Sequence, residues 1–191
     1  MFILFYRINK ENTSIALSEN IESPWILTKT HLFLPSFEWE QERTGISTPP
    51  INIIIDNNNE KFLLFYHGVE EKNVGTKTIK CYHLGAFFLS TNLEKGKLKL
   101  KIERLKKPVL SPSKDYEINN RWLSSVGVHA VFSCGAIPVK VREYAEIEDE
   151  VYIYYGAGDS VINLAKTRIF ELLQEEMEIE YKEIKIIKKN I

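Results

Sequence analysis

The chain has 191 residues, of which 44% are hydrophobic, and a formal net charge of -1. These values are typical of a globular protein with a substantial core. The balanced charge argues against nucleic acid as the main partner, because phosphate backbones select clustered basic surface. No apolar run approaches the ~20 residues of a membrane helix, and the first run is too short, and too soon interrupted by Arg7, for a signal peptide. The sequence therefore predicts a cytoplasmic protein without membrane contact.

The cysteines and histidines show no recognisable pattern along the chain. Cys81 and Cys134 form neither a CxxC pair nor a metal-binding spacing with the four histidines. Reduced thiols are therefore expected rather than a disulfide. The sequence predicts no metal ion and no cofactor.

Short apolar runs are frequent, and one pattern of them occurs three times. Runs rich in Phe, Tyr, Ile and Val, separated by Gly, Pro and Asn, are typical of strands. Each pattern is a run that closes on an aromatic residue before a break, followed by a second run. The first runs are FILFYR (2–7), FLLFYHGV (62–69) and VYIYYG (151–156), and the second runs are SIALS (14–18), LGAFFLS (84–90) and VINLA (161–165).

Further strands are predicted beside these pairs. PPINIIID (49–56) precedes the second pair, CGAIPVKV (134–141) precedes the third, and GKLKLKIERL (96–105) alternates like a half-exposed outer strand. A recurring four-stranded antiparallel unit is the plan of a β-propeller blade. We predict an all-β fold with a short C-terminal helix, followed by one more alternating strand. The predicted units are three blades (1–45, 46–112 and 113–170) and a tail (171–191).

Three blades do not close a propeller, because closed propellers typically have about four to eight. Residues 1–191 are therefore predicted to form a partial β-propeller domain. Open sheet edges are templates for pairing. The chain is expected to self-associate, or to pair with a chain that supplies the missing blades.

Polar residues follow the buried strands of the three pairs. The innermost strands of a propeller end at a central channel, and here their ends carry Arg7, His67 and Asp159. Arginine and histidine are suitable donors to an oxyanion, and an aspartate accepts hydrogen bonds from sugar hydroxyls. The pattern predicts an anion beside a hydroxyl-rich ligand, with the polar segment 68–78 as a loop at the pocket mouth.

An ordered set of motifs gives a more specific indication. The motifs are TPPI (48–51), FYHGV (65–69), YHLGAFFLS (82–90), PVLSPSKDYE (108–117), VFSCGA (131–136) and YYGAGD (154–159). Over roughly residues 1–170 the chain resembles glycoside hydrolase family 130, the mannoside phosphorylases and related mannosidases. The resemblance implies a five-bladed propeller, of which this chain is the C-terminal part.

The resemblance also implies roles for individual residues. His67 and Arg7 match positions that bind the attacking phosphate. Tyr82 and Asp159 match positions that hold the mannosyl unit. Arg43 stands where the family usually has a lysine in contact with the sugar. The implied ligands are inorganic phosphate, as co-substrate, and a mannose-containing oligosaccharide.

By resemblance the reaction is inverting phosphorolysis, in which phosphate attacks a β-mannoside, an acid protonates the leaving oxygen, and mannose 1-phosphate forms. The family's general-acid aspartate and a second phosphate-binding arginine lie upstream of the residues present here. The catalytic acid is thus unknown, and this chain alone is expected to be inactive. Glu38, Glu40 and Glu42 are predicted to lie on a solvated face.

Three functions stay open on the sequence alone. The first is a β-mannoside phosphorylase, and the second is a β-mannoside hydrolase of the same family. The third is a non-catalytic carbohydrate-binding propeller fragment, which the missing acid favours. Arg7 and His67 favour the phosphorylase, since a water nucleophile needs no anion site. The motifs do not specify the acceptor sugar or the linkage.

Overall fold

Strands make up most of the protein, as the apolar runs predict. The computed structural model describes residues 1–8, 12–56, 59–118 and 127–186. The helical elements are short: a 3-10 turn at Glu38–Glu40, α1 (Asp115–Ile118) and α2 (Ile169–Gln174). The strands within the described residues are β1 (Phe2–Tyr6), β2 (Ser14–Ser18), β3 (Ile26–His31), β4 (Arg43–Ile46), β5 (Ile51–Asp56), β6 (Asn59–Val74), β7 (Lys77–Glu94), β8 (Lys97–Leu105), β9 (Val128–Pro138), β10 (Ala145–Glu146), β11 (Glu150–Ala157), β12 (Val161–Arg168) and β13 (Met177–Lys185). The all-β prediction is confirmed at this level.

The three predicted strand pairs all form. β1 pairs with β2, β6 with β7 and β11 with β12, each antiparallel. β1, β2 and β3 make a small sheet, and the other strands join a larger one in the order β10-β5-β6-β7-β9-β11-β12, with β4 on β6 and β8 between β7 and β13. The division into propeller blades stays a prediction.

The strand that carries His67 does not end there, which corrects the sequence prediction. β6 continues to Val74 and pairs with β7 without interruption from Phe62↔Leu89 to Val74↔Lys77. The segment predicted as a loop is therefore the end of a long β-hairpin. Gly68 looked like a strand break, but its role is packing: a Cβ there would lie 2.5 Å from Cζ3 of Trp39.

The predicted tail contributes to the sheet. α2 is followed by β13, which pairs antiparallel with β8 from Met177↔Leu105 to Lys185↔Lys97. The additional strand predicted from the alternating sequence is thus present. It covers β8, so this strand is less exposed than its charge pattern suggested.

The β6–β7 hairpin separates two apolar clusters, because successive side chains of a strand point to opposite faces. One cluster includes Leu63, Phe65 and Phe88. The other includes Leu64, Tyr66 and Phe87. No helix within the described ranges has the length and apolar character required to cross a membrane.

A buried carboxylate lies on the Tyr66 face of this sheet. Glu40 is 0% exposed, so the prediction of a solvated face was wrong for it. Its Oε1 accepts from Arg104 at 2.9 Å and from the backbone N–H of Ser36 at 2.9 Å, and its Oε2 accepts from Tyr66 Oη–H at 2.9 Å. The 3-10 turn is thereby fixed to β6 and β8.

Arg104 completes this network although it lies in the predicted solvated strand. Its side chain is 1% exposed, with the guanidinium carbon 4.4 Å from the ring centroid of Phe33 and 4.6 Å from that of Phe37. It also donates to Glu178 on β13 at 2.6 Å and to the Leu34 carbonyl at 3.1 Å. The cation therefore joins the segment after β3, the sheet and the C-terminal strand.

Arg104→Met should lower the free energy of unfolding by about 3–5 kcal/mol, because it leaves the Glu40 carboxylate buried without its cation. Urea unfolding monitored by tryptophan fluorescence measures the change. Lys106→Met is the matched control, since Lys106 pairs with Glu176 at 2.5 Å on the exposed surface. Such exposed pairs contribute little, so equal losses in both variants would contradict a structural role for the Glu40–Arg104 pair.

Candidate anion-binding site

Arg7 and His67 meet at one cavity, as the repeated strand ends predict. A cavity of about 270 Å³ is lined by both residues, with Gly45 between them. A Cβ on Gly45 would lie 2.5 Å from His67 Cε1 and 3.1 Å from Arg7 Nη1. The absence of a side chain at position 45 lets the imidazole and the guanidinium approach the same point of β4.

Strand pairing brings these groups together. Gly45 is the cross-strand partner of His67, and Arg7, just after β1, donates to the Thr44 carbonyl at 3.2 Å. The small sheet is thus joined to the larger one at this point. The cavity lies between them.

The His67 ring is enclosed, with only 5% of the residue exposed. Its Nδ1 lies 3.3 Å from Ser47 Oγ, and its ring centroid lies 4.7 Å from that of Phe132 on β9. Burial, and then the charges of Arg7 and Arg43, lower the pKa of His67 to about 4. The imidazole is therefore neutral near pH 7. If Nδ1 accepts from Ser47, Nε2 carries the proton and can donate into the cavity.

Arg43 and Tyr82 form the neighbouring wall. Arg43 on β4 and Tyr82 on β7 are both cross-strand partners of Val69, so they lie on the same face of β6 as His67. The Arg43 guanidinium donates to Tyr82 Oη, and its carbon lies 5.6 Å from the ring centroid. Its Nε is buried and has no hydrogen-bond partner among the described groups.

Positive charge at this site has no neutralising partner in the part of the chain that the structure describes. Among the described residues, no carboxylate pairs with either Arg7 or Arg43. Guanidinium groups bind oxyanions through parallel N–H donors, and a neutral imidazole adds one more donor. The arrangement can bind a tetrahedral oxyanion, with Tyr82 offering a ring face and a hydroxyl beside it.

Asp159 is not in contact with this group. It lies in the turn between β11 and β12 with a positive φ of 50° and is exposed. In the described part of the chain, no hydrogen bond or ion pair connects it with Arg7 or His67. Four of the five predicted site residues therefore converge (Arg7, Arg43, His67 and Tyr82), and Asp159 is not bonded to Arg7 or His67 within the described residues.

Gly45, Ser47 and Phe132 were not predicted as site residues, although each lies within a family motif or close beside one. Gly45 and Ser47 belong to RTGISTPPI, and Phe132 to VFSCGA. The sequence feature that could have identified them is their position next to motif residues. What they contact depends on pairing between β4 and β6, and between β7 and β9, which spacing along the chain does not encode.

The fold and the cavity define a β-sheet protein with a pocket suited to an anionic ligand. The profile of the family Glyco_hydro_130, described as β-1,4-mannooligosaccharide phosphorylase, matches residues 1–177. The chain belongs to this family, glycoside hydrolase family 130, as its motifs indicated. There is no significant match among solved structures.

Three curated relatives are phosphorylases by name. The β-1,2-mannobiose phosphorylase of Thermoanaerobacter sp. (strain X514) is 36% identical over 68% of this chain and 33% of its own length. The 1,2-β-oligomannan phosphorylase of the same organism is 32% identical over 79% and 41%. The β-1,2-mannobiose phosphorylase of Listeria innocua serovar 6a is 32% identical over 76% and 32%. The matched segments thus cover between 32% and 41% of the length of these relatives.

The depressed pKa of His67 predicts a pH dependence of stability. The unfolded chain binds a proton at this residue below pH ~6.5, whereas the folded chain does so only near pH 4. Stability should therefore fall as the pH drops through this window, by up to about 3 kcal/mol from this group. His67→Gln should flatten the dependence in urea unfolding measured at several pH values. The same slope in both proteins would contradict a buried neutral imidazole.

Proposed function

We propose that this chain forms the phosphate-binding part of a β-mannoside phosphorylase. The observation that carries the proposal is the convergence of Arg7 and His67 over Gly45, with Arg43 nearby and no described carboxylate to neutralise the two guanidiniums. Family membership and the phosphorylase names of three relatives support it.

The reaction that this site would serve is phosphorolysis with inversion. A phosphate oxygen forms a bond to the anomeric carbon of a β-mannoside, the glycosidic C–O bond breaks, and an acid gives its proton to the leaving oxygen. The products are mannose 1-phosphate and the shortened sugar. General acid assistance is worth roughly 10²–10⁴-fold, and we assign no described residue to that role.

The charge of the cavity favours a phosphorylase over a hydrolase. A water nucleophile needs a base and no cations, whereas phosphate must be held and oriented against its own negative charge. Arg7 and Arg43 would supply the attraction, and His67, being neutral at pH 7, would supply a hydrogen bond. Desolvation makes such preorganised donors more effective than they are in water.

We assign the mannosyl unit to the wall next to the anion. Tyr82 would offer its ring and hydroxyl, and Arg43 would bridge the phosphate and the sugar. To bind the mannosyl unit as well, Asp159 would have to reach it from the β11–β12 turn. The propeller architecture, the cytoplasmic location and self-association or pairing with further blades are part of the same proposal.

Phosphate should raise the pKa of His67 from its low value, because an anion beside the ring stabilises its charged form. An NMR titration of the imidazole with and without phosphate measures this, with His67→Gln identifying the signal. Sulfate should compete and should bind more tightly as the pH falls toward 4. An unchanged His67 titration, with phosphate shifts elsewhere, would contradict the assignment.

Gly45→Ala tests the same cavity without changing a charged group. The new methyl would displace His67 or Arg7, so phosphate affinity measured by calorimetry should fall at least about tenfold. Gly135→Ala is the matched control, since a Cβ there meets no atom within 4 Å. Equal affinities in the two variants would place the anion elsewhere.

Mannose or mannose 1-phosphate should bind weakly, with a Kd near the millimolar range, or about -4 kcal/mol. If Asp159 takes part, Asp159→Ala should weaken this binding in ligand-observed NMR and leave sulfate binding unchanged. Equal mannose binding by both proteins would remove Asp159 from the sugar site and leave Tyr82 and Arg43 as its wall.

A further inference from the structure

Four side chains with metal-binding atoms lie on the sheet face opposite His67. Glu70 on β6 is the cross-strand partner of Cys81 on β7, and Cys81 is the partner of His129 on β9. Partners point to the same face, and His83 lies two residues after Cys81 on the same strand. One carboxylate, one thiol and two imidazoles therefore share one face of three adjacent strands.

Three of the four donor groups are close enough to serve one ion, and the fourth, His129, lies next to Cys81. The ligand atoms of Glu70, Cys81 and His83 all lie within 4.8 Å of one another. His83 Nε2 is 2.8 Å from Glu70 Oε1, and His129 Nδ1 is 3.8 Å from Cys81 Sγ. A tetrahedral zinc site keeps its ligand atoms roughly 3–4 Å apart, given bonds of about 2.0–2.3 Å. Glu70, Cys81 and His83 lie near this spacing, and His129 would have to turn from Cys81 toward the other two to complete the set.

The surroundings suit metal ligation. His83 Nδ1 lies 2.9 Å from Ser111 Oγ, and this second contact orients Nε2 toward Glu70. Burial lowers the pKa of both His83 and His129, so the imidazoles are neutral near pH 7. Burial raises the pKa of the Cys81 thiol. Metal binding would therefore release a proton from Cys81.

One cation competes for the carboxylate. Lys72 Nζ lies 2.5 Å from Glu70 Oε1, but the lysine side chain is 54% exposed and can turn into solvent. Cys81 and His83 are 5% and 6% exposed, so the thiol and one imidazole have no comparable alternative in water.

We propose that Glu70, Cys81, His83 and His129 form a structural site for zinc, or for another divalent transition ion with the same preference for nitrogen and sulfur. Sulfur and imidazole ligands select against magnesium and calcium, which prefer oxygen. Four protein ligands leave no open position for a reacting water, which is typical of structural sites. The site does not depend on the proposed phosphorolysis.

The position of the cluster indicates what the ion stabilises. Among the described residues, β7 and β9 pair in parallel through three residue pairs: Lys80↔Val128, Cys81↔His129 and Tyr82↔Ala130. An ion on Cys81 and His129 would cross-link the strands at the middle pair of this short junction. Tyr82 belongs to the next pair, and its ring centroid lies 6.3 Å from that of His67, so the ion would hold the strand that positions Tyr82 beside the anion site.

The test is titration of the full, reduced chain with Co²⁺, followed by displacement with Zn²⁺. We expect one equivalent to bind, a thiolate-to-cobalt charge-transfer band, and a higher Tm with zinc. Cys81→Ser should abolish the band, and the matched variant Cys134→Ser should keep it, because Cys134 is exposed and lies outside the cluster. His129→Gln should weaken zinc binding at least about tenfold.

The variant Lys72→Met is a control for loss of metal binding through misfolding. Removing the competing ammonium should tighten zinc binding, which a damaged fold would not produce. The proposal is overturned if the band is absent, if it survives Cys81→Ser, or if it disappears with Cys134→Ser instead.

Discussion

The register of the β6–β7 hairpin is the constraint on which the rest of the structure depends. Uninterrupted pairing from Phe62↔Leu89 to Val74↔Lys77 decides which side chains share a face. His67 and Tyr82 lie on one face, and Glu70 and Cys81 on the other. A slip of one residue would exchange every one of these positions. The anion cavity and the candidate metal ligands are therefore two consequences of a single register.

Polar groups help to fix that register. Both faces of β6 carry apolar side chains, so the hydrophobic pattern alone distinguishes the two alignments weakly, whereas a buried hydrogen bond requires a particular partner and geometry. Tyr66 donates to Glu40, whose carboxylate is held by Arg104 on β8. Such a network adds little net stability over an apolar core, since desolvating the charges is costly. We infer that its contribution is specificity: it allows one alignment of the strands.

The sequence was sufficient for the strands but not for their length or partners. The apolar runs and turn residues predicted the three strand pairs, and the ordered motifs predicted the family. Gly68 was misread as a strand break because a glycine does not distinguish between two situations. It can end a strand, or it can make room within a strand for a large neighbour such as Trp39. Glu40 and Arg104 were misread as solvated because charge in a sequence does not reveal a buried partner 64 residues away.

The same limit explains the metal ligands. Metal motifs are recognised by spacing along one segment, and the only local trace here is Cys81 two residues before His83. Glu70 and His129 become neighbours of Cys81 through two different strand pairings, one antiparallel and one parallel. A site assembled in this way cannot be recognised from the spacing of its residues along the chain. It lies at the junction of β7 and β9. The junction between β7 and β9 is short, and its two strands carry Tyr82 and Phe132, whose rings both lie beside His67. A metal cross-link between Cys81 and His129 would therefore fix the strands that carry these two rings, without contacting a ligand at the anion site.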